Sequence, residues 1–406
     1  MEMYKKIFTI IFMVTLLGFS AMNMYYAKGG LKHALTELES PKSLKDVKTY
    51  TLSIDNILAT NLLFDNQWNE TYAKVYNFFG KNEENSFSYV RDKDGMLYQG
   101  NFWNTSPIPV KEYALRIKRL QTAVEDKGTK VVVLLYPTQY NKEWSDGYYG
   151  IPYNDYNLLS EEMVSLFRYY GIDCIDYKRI YLQKKMRATE IFYKTDHHWR
   201  VEVAFDGFCT LVEHLNKKYD EKLDTYYTDI NNYNVETYEN WFIGSQGRDA
   251  GVNYVGLDDY TFIIPKFDTD YKYVVEYKSG ESTEHNGDIE ETLISKEYLY
   301  EEDYYDREMW GSYLGGVHVS DRIENKLNSD GLSALFIRDS YSSPLATFFS
   351  SYCSEIDMLW TAEVDANTIE ETVENGDYDY IFIGLAVDSY IHGDAEFYVD
   401  EEDTNE

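Results

Sequence analysis

The sequence predicts an α/β fold: a parallel sheet flanked by helices, carrying a β-rich insertion and led by an N-terminal membrane anchor. Three observations predict it. Short apolar runs rich in β-branched residues, such as KVVVLLYP at 130–137, lack the alternation of a half-exposed strand and read as strands buried on both faces. Segments with helical spacing separate these runs, the order expected of helices covering a parallel sheet. An apolar stretch follows two lysines at the start of the chain.

The elements follow in order. Lys5 and Lys6 precede Ile7 to Met22, which Met24, Tyr25 and Tyr26 extend. Counting the tyrosines, the run reaches the roughly 20 apolar residues that span a bilayer. Residues 1–28 therefore read as a signal anchor or signal peptide, with an uncleaved anchor favoured over cleavage near Ala21. Lysines stay on the cytoplasmic side, so the rest of the chain faces outward, membrane-anchored or secreted. Residues 29–85 are expected to form a helical stalk or layer, with helical character from 31 to about 90. The main domain covers 86–400. It opens with a hairpin turning at Asp94-Gly95.

A helix is expected over 111–128, stopped by Gly128, then the strand 130–137. A second helix covers 159–171, with Ser160 as cap and Gly171 as stop. Strand 172–177, an extended run 190–199 and an amphipathic helix 201–219 follow. Residues 226–330 are rich in Tyr, Asp and Gly and form the β-rich insertion. The alternation then resumes: strand 333–339, a helix after Ser340, strand 355–360, helix 367–375 and strand 378–386. The acidic tail, 394–406, is expected to be solvated. There is no internal repeat.

A net charge of -32 over 406 residues argues against nucleic acid and anionic lipid as partners. Three widely spaced cysteines, Cys174, Cys209 and Cys353, make neither a disulfide framework nor a zinc site and read as small buried hydrophobes. Neither a metal nor a cofactor is expected. The 41 tyrosines offer faces for sugars, although packing explains most of them.

Two segments carry chemistry. In Thr195-Asp196-His197-His198-Trp199, an extended backbone would put Asp196 and His198 on one face and His197 on the other. Asp196 would then orient His198 as a general base, or the two form a structural pair. The second segment, Ile337-Arg338-Asp339-Ser340-Tyr341-Ser342-Ser343, ends a strand and begins a helix. A serine there sits at the carboxyl end of the sheet, where open α/β folds place their sites. It needs a nearby base to act as a nucleophile. The plainer alternative is that Ser340 or Ser343 caps the helix. His214 and His392 fall in or near regular elements, and His33, His285 and His318 in polar stretches.

TDHHW, followed much later by a strand ending in Asp-Ser-Tyr, resembles the DHHW protein family. That family is similar to SGNH hydrolases, close to the periplasmic alginate O-acetyltransferases. RDKDGMLYQG (91–100) and WFIGSQGRDAGVNYVGLDD (241–259) strengthen the resemblance, which spans roughly 86–400. It implies an SGNH-hydrolase-like domain with a triad of Ser340, His198 and Asp196. Arg248, Asn253, Tyr341 and Trp199 are its candidates for oxyanion or substrate contacts. The function implied is O-acetyl transfer or acetyl-ester hydrolysis on a cell-surface polysaccharide, with a membrane-bound O-acyltransferase as acyl donor. The sequence departs from the pattern at Arg338, where glycine is usual, and lacks a clear Gly-x-Asn-Asp block. Those departures favour the alternative, a non-catalytic glycan-binding or assembly protein on the same fold. A metal-dependent hydrolase using Asp196 and His197 is a third, weaker alternative.

Overall fold

Alternate residues of the valine-rich run point to opposite sides of one sheet. Val132, Leu134 and Tyr136 join one hydrophobic cluster, and Val131, Val133 and Leu135 join another. A strand whose two faces are both covered has no polar face, hence the unbroken apolar run. The computed structural model describes residues 2–37, 44–60, 62–100, 109–393 and 395–399. The chain divides into two compact units, Met1–Phe78 and Phe79–Glu406.

The first unit is helical: Glu2–Tyr26, Lys28–Glu37, Leu44–Thr60 and Asp65–Phe78. Met3–Tyr26 has a mean hydropathy of 2.0 and is long and apolar enough to cross a membrane. Helix stops at Phe78 rather than near residue 90. Gly80 follows with a φ of 63°, and short strands at Glu83–Glu84, Tyr89–Arg91 and Leu97–Gln99 take over. The expected turn at Asp94-Gly95 is present: Gly95 has a φ of 82°. Asp92 organises it, accepting from the Asp94 and Met96 amides at 2.9 and 3.0 Å and from the Tyr98 hydroxyl at 2.7 Å.

The second unit is built on an eight-stranded sheet. Its strands are β1 (Lys130–Tyr136), β2 (Asp173–Asp176), β3 (Tyr271–Glu276), β4 (Ser282–Gly287), β5 (Ser320–Asn325), β6 (Leu332–Arg338), β7 (Cys353–Trp360) and β8 (Tyr380–Ala386). The order across the sheet is β2-β1-β8-β6-β7-β5-β3-β4. From β2 to β7 the strands are parallel; β5, β3 and β4 extend the sheet antiparallel. The insertion thus lengthens the main sheet and adds a separate two-stranded ribbon, Tyr233–Phe242 with Asp258–Pro265. Helices Val110–Ala123, Asn157–Tyr170 and Ala366–Asn375 cover one face, and Val201–Tyr219 and Ser342–Phe349 the other. Each buried valine or leucine contributes about 1.5–3 kcal/mol of transfer free energy.

Several local expectations change. Ser160 is inside its helix, its hydroxyl bonded back to the Asn157 carbonyl at 2.7 Å; Tyr156 precedes the first turn. Residues 190–199 are not extended. A short helix, Ala188–Ile191, leads into a tight loop closed by a bridge between Phe192 and Trp199. The start of the acidic tail is packed rather than solvated: Ala395 and Phe397 are buried, and Arg116 donates to the Ala395 carbonyl at 2.7 Å. Residues 400–406 lie outside the described residues. Cys353 is buried, whereas Cys174 and Cys209 are half-buried; all three are free thiols.

Candidate active site

Strand β6 ends at Arg338, and the chain turns through Asp339 and Ser340 before helix Ser342–Phe349 begins. Asp339 holds this turn. One carboxylate oxygen accepts from the Tyr341 amide at 3.0 Å; the other accepts from the Ala386 amide at 2.6 Å and the Ser389 hydroxyl at 2.8 Å. The end of β6 is thereby tied to the end of β8. Burial pushes the Asp339 carboxyl up to about 7 despite these donors.

The Ser340 hydroxyl lies 2.7 Å from His198 Nε2, and His198 Nδ1 lies 2.5 Å from Asp196 Oδ1. Ser340 does not cap the helix: Tyr341 occupies the capping position and makes no side-chain cap bond. Nor does Ser343 cap it, since its hydroxyl meets the Arg338 guanidinium and the Gly316 carbonyl. Among the described residues, the backbone N–H of Ser340 has no hydrogen-bond partner.

The loop that carries Asp196 and His198 is held by residues far away in sequence. Ser245 donates its amide to Asp196 Oδ2 at 2.9 Å. Asp258 accepts from the Lys194 amide and from the Thr195 amide and hydroxyl, at 2.6–2.9 Å. The Gln139 side-chain amide donates to the Tyr193 and Asp196 carbonyls at 3.1 and 2.7 Å. The two glycines of the GSQGR segment permit this approach. A Cβ on Gly244 would stand 2.1 Å from Asp196 Cβ, and one on Gly247 would stand 2.7 Å from Thr195 Cβ. Burial works to raise the Asp196 carboxyl, but the two neighbouring imidazoles and the bonds from His198 outweigh it. They hold the group well below the usual carboxylate range.

Because the segment is a loop, strand alternation does not apply. His197 is on the same side as His198, with ring centroids 3.9 Å apart. Burial and the adjacent imidazole push His197 down to about 4. Asp196, His197 and His198 present ligand atoms within 4.8 Å of one another, the spacing of a metal site. Both nitrogens of His198 already serve Asp196 and Ser340, however, so a metal there would have to break that series.

The other candidates have defined places. Trp199 is fully buried, and its indole N–H donates to the Tyr341 carbonyl at 3.1 Å, so its one donor is used. The Tyr341 hydroxyl donates to the His197 carbonyl, leaving its ring as a wall beside the site. Arg248 pairs with Glu308. Asn253 lies in the short helix Val252–Val255 and is not bonded to Ser340, His198 or Asp196. Arg338, which replaces the usual glycine, is fully buried, with its guanidinium on Asp321 of β5. Asp321 also receives the Tyr273 hydroxyl and faces His318 Nδ1, each at 2.8 Å.

Trp310 was not foreseen. Its ring lies flat on His198, with centroids 3.9 Å apart and planes 9° apart. It belongs to a short 3₁₀ turn, Met309–Ser312, with no local signature linking it to the histidine. The GSQGR segment was legible as a motif, and its role as a clamp on Asp196 comes from the fold.

Comparison with known proteins agrees with this fold. Residues 91–232 match the family model for the SGNH hydrolase-like domain of the acetyltransferase AlgX. That segment contains the Asp196–His198 loop and stops short of Ser340. No curated protein matches the chain. Among solved structures, Bacillus cereus PatB1 is similar at a TM-score of 0.58 and 15% identity, over 76% of this chain and 99% of that one. PatB1 with a sulfonyl adduct gives 0.57 and 14%, over 76% and 97%. A DHHW family protein from Eubacterium siraeum gives 0.56 and 16%, over 76% and 93%.

Proposed function

We propose that this SGNH hydrolase-like protein, similar in fold to a DHHW family protein and to PatB1, is a serine-dependent O-acetyltransferase or acetylesterase acting on a cell-surface glycan. The hydrogen-bonded series Asp196–His198–Ser340 at the carboxyl end of β6 carries this reading. The match of residues 91–232 to an acetyltransferase family model supports the acyl chemistry.

In this mechanism, Ser340 Oγ attacks the carbonyl carbon of an acetyl donor as His198 Nε2 takes the hydroxyl proton. Asp196 fixes the tautomer and supports the imidazolium. The oxygen of the tetrahedral intermediate takes up negative charge, and the unpartnered Ser340 N–H supplies a donor for it. Collapse expels the donor's leaving group, which receives the proton from His198, and leaves acetyl-Ser340. A sugar hydroxyl then attacks this ester. His198 accepts its proton and returns it to Ser340 Oγ as the acetyl group departs. Water in place of the sugar gives the esterase. Arg338 does not intrude on the chemistry, because its charge is balanced by Asp321.

The apolar helix Met3–Tyr26 and its lysine flank support an outward-facing domain tethered to the membrane. A membrane-bound O-acyltransferase would be a source of acetyl groups in that setting. The test is labelling of the purified chain with an aryl sulfonyl fluoride, alongside hydrolysis of 4-nitrophenyl acetate. We expect one label, on Ser340, and loss of both labelling and hydrolysis in Ser340→Ala and His198→Ala. Full hydrolysis by a folded Ser340→Ala chain would refute the assignment.

A further inference from the structure

The helix Asp65–Phe78 is turned the wrong way round for water. On one side it buries Ala73 fully and Asn66, Asn69, Glu70 and Tyr76 in part, the positions i, i+3, i+4, i+7 and i+10 of a single face. Trp68, Tyr72, Val75 and Phe78 make the opposite face. All four are exposed, Trp68 at 52% and Phe78 at 84%. A helix on a soluble protein turns its apolar stripe inward and its amides outward. Three aromatic rings and a valine left outside together mark a contact surface.

The first helix indicates what covers that surface. Along Met3–Tyr26 every residue is exposed except Phe19 and Asn23, and both meet the start of the aromatic helix. The Phe19 ring stands edge-on to Trp68, with centroids 6.4 Å apart and planes at 88°. Asn23 Oδ1 accepts from the Leu63 amide at 2.6 Å. The Lys28 ammonium lies 3.9 Å from the centre of the Tyr25 ring. Tyrosines and a lysine at the end of an apolar helix are the groups that settle at a bilayer surface. Counting back from Tyr26 at 1.5 Å per residue, Asn23 is about 5 Å deeper and Phe19 about 10 Å deeper. A helix lying on a membrane sinks its apolar face to about that depth, roughly 5–10 Å. With Met3–Tyr26 across the bilayer, its contacts bring Trp68 to the boundary between headgroups and acyl chains. Lys74 is the only cation on the helix, and the chain carries -32, so the attraction is apolar rather than a pull toward anionic lipid.

We propose that Asp65–Phe78 lies on the outer surface of the membrane with Trp68, Tyr72, Val75 and Phe78 sunk into it. The proposal rests on the reading of Met3–Tyr26 as a membrane anchor, and not on the acyl-transfer chemistry. The aromatic face alone is a weak anchor; the spanning helix supplies the local concentration that keeps it in place. On this arrangement residue 78, where the first unit ends, is held at the bilayer surface rather than at the tip of a stalk.

The experiment is tryptophan fluorescence of the full chain reconstituted in phosphatidylcholine vesicles, with and without bromine on the lipid acyl chain near the headgroup. Trp68 is the one tryptophan of residues 1–78, and its signal is the difference between wild type and Trp68→Phe. Brominated lipid should quench that signal by about half or more. In the Trp68→Phe chain, Phe78→Trp should restore quenching. Asn77→Trp, four residues after Ala73 and on its side of the helix, should not. An unquenched Trp68, or equal quenching at positions 77 and 78, overturns the proposal. Carbonate extraction of the same vesicles tests the anchor separately. A chain that resists extraction without Trp68 quenching refutes the surface helix alone; a chain that carbonate releases refutes the anchor. Hydrolysis of 4-nitrophenyl acetate should be unchanged in every variant, which confirms that each is folded.

Discussion

Asp196 accepts on both carboxylate oxygens, from His198 on one and from Ser245 on the other. Asn at this position would keep the shape but turn one oxygen into a donor and give His198 the wrong tautomer. Asp196→Asn should therefore lower turnover by about 10³-fold or more while Tm changes little, read from ester hydrolysis and a melting curve. Trp310 stacks on His198, so in the proposed mechanism it is a positioning residue that acts through the imidazole. Its stacking is worth about 0.5–1.5 kcal/mol, so Trp310→Ala should lower kcat by about three- to tenfold, with partial recovery in Trp310→Phe and little change in KM. Asp339 predicts a pH effect. Its carboxyl ionises near 4 in the unfolded chain and near 7 when folded. Between those values the folded chain binds the extra proton, so this group's contribution to stability is full below about pH 4. It declines as pH rises to about 7 and is flat above. Against wild type, Asp339→Asn should show a smaller fall in Tm from pH 5 to 7.5. The pair Asp196 and His198 was legible in sequence because it stands in a short, chemically unusual run, and the candidate nucleophile Ser340 because it follows a strand at the carboxyl end of the sheet. Trp310, Gln139 and Asp258 were not, since their partners lie dozens of residues away.

At the level of elements, alternating apolar strands and amphipathic helices were readable because each buries a face with its own period. The loop at 192–199 was misread as extended, and the reason is physical. Its conformation is imposed by Asp258, Gln139 and the GSQGR segment, none of them local. Gly244→Ala tests that imposition: its Cβ would fall on the Asp196 side chain, and activity should drop by about 10²-fold or more with a lower Tm. The Arg338–Asp321 pair ties β6 to the insertion strand β5, and both residues are fully buried. Removing one partner strands a buried charge. Arg338→Met should cost about 3–5 kcal/mol by denaturant unfolding, and the double variant Arg338→Met/Asp321→Leu should recover much of it.

At the scale of the whole molecule, the two units make separate predictions. Deleting residues 1–28 should move the protein from the membrane to the soluble fraction. Ester hydrolysis should persist, because every side chain of the Asp196–His198–Ser340 series belongs to the second unit. The order of strands has a consequence for how the sheet is completed. Strand β8, near the carboxyl end, sits between β1 and β6. Without it, β1 and β6 have no hydrogen-bonded strand between them, and Asp339 lacks the Ala386 amide and Ser389 hydroxyl that brace the Ser340 turn. Among the described residues, the strand that comes latest in the sequence is thus the keystone of the sheet. Under the proposed mechanism, a chain truncated before residue 380 should therefore not hydrolyse 4-nitrophenyl acetate, because the brace on the Ser340 turn comes from beyond that point.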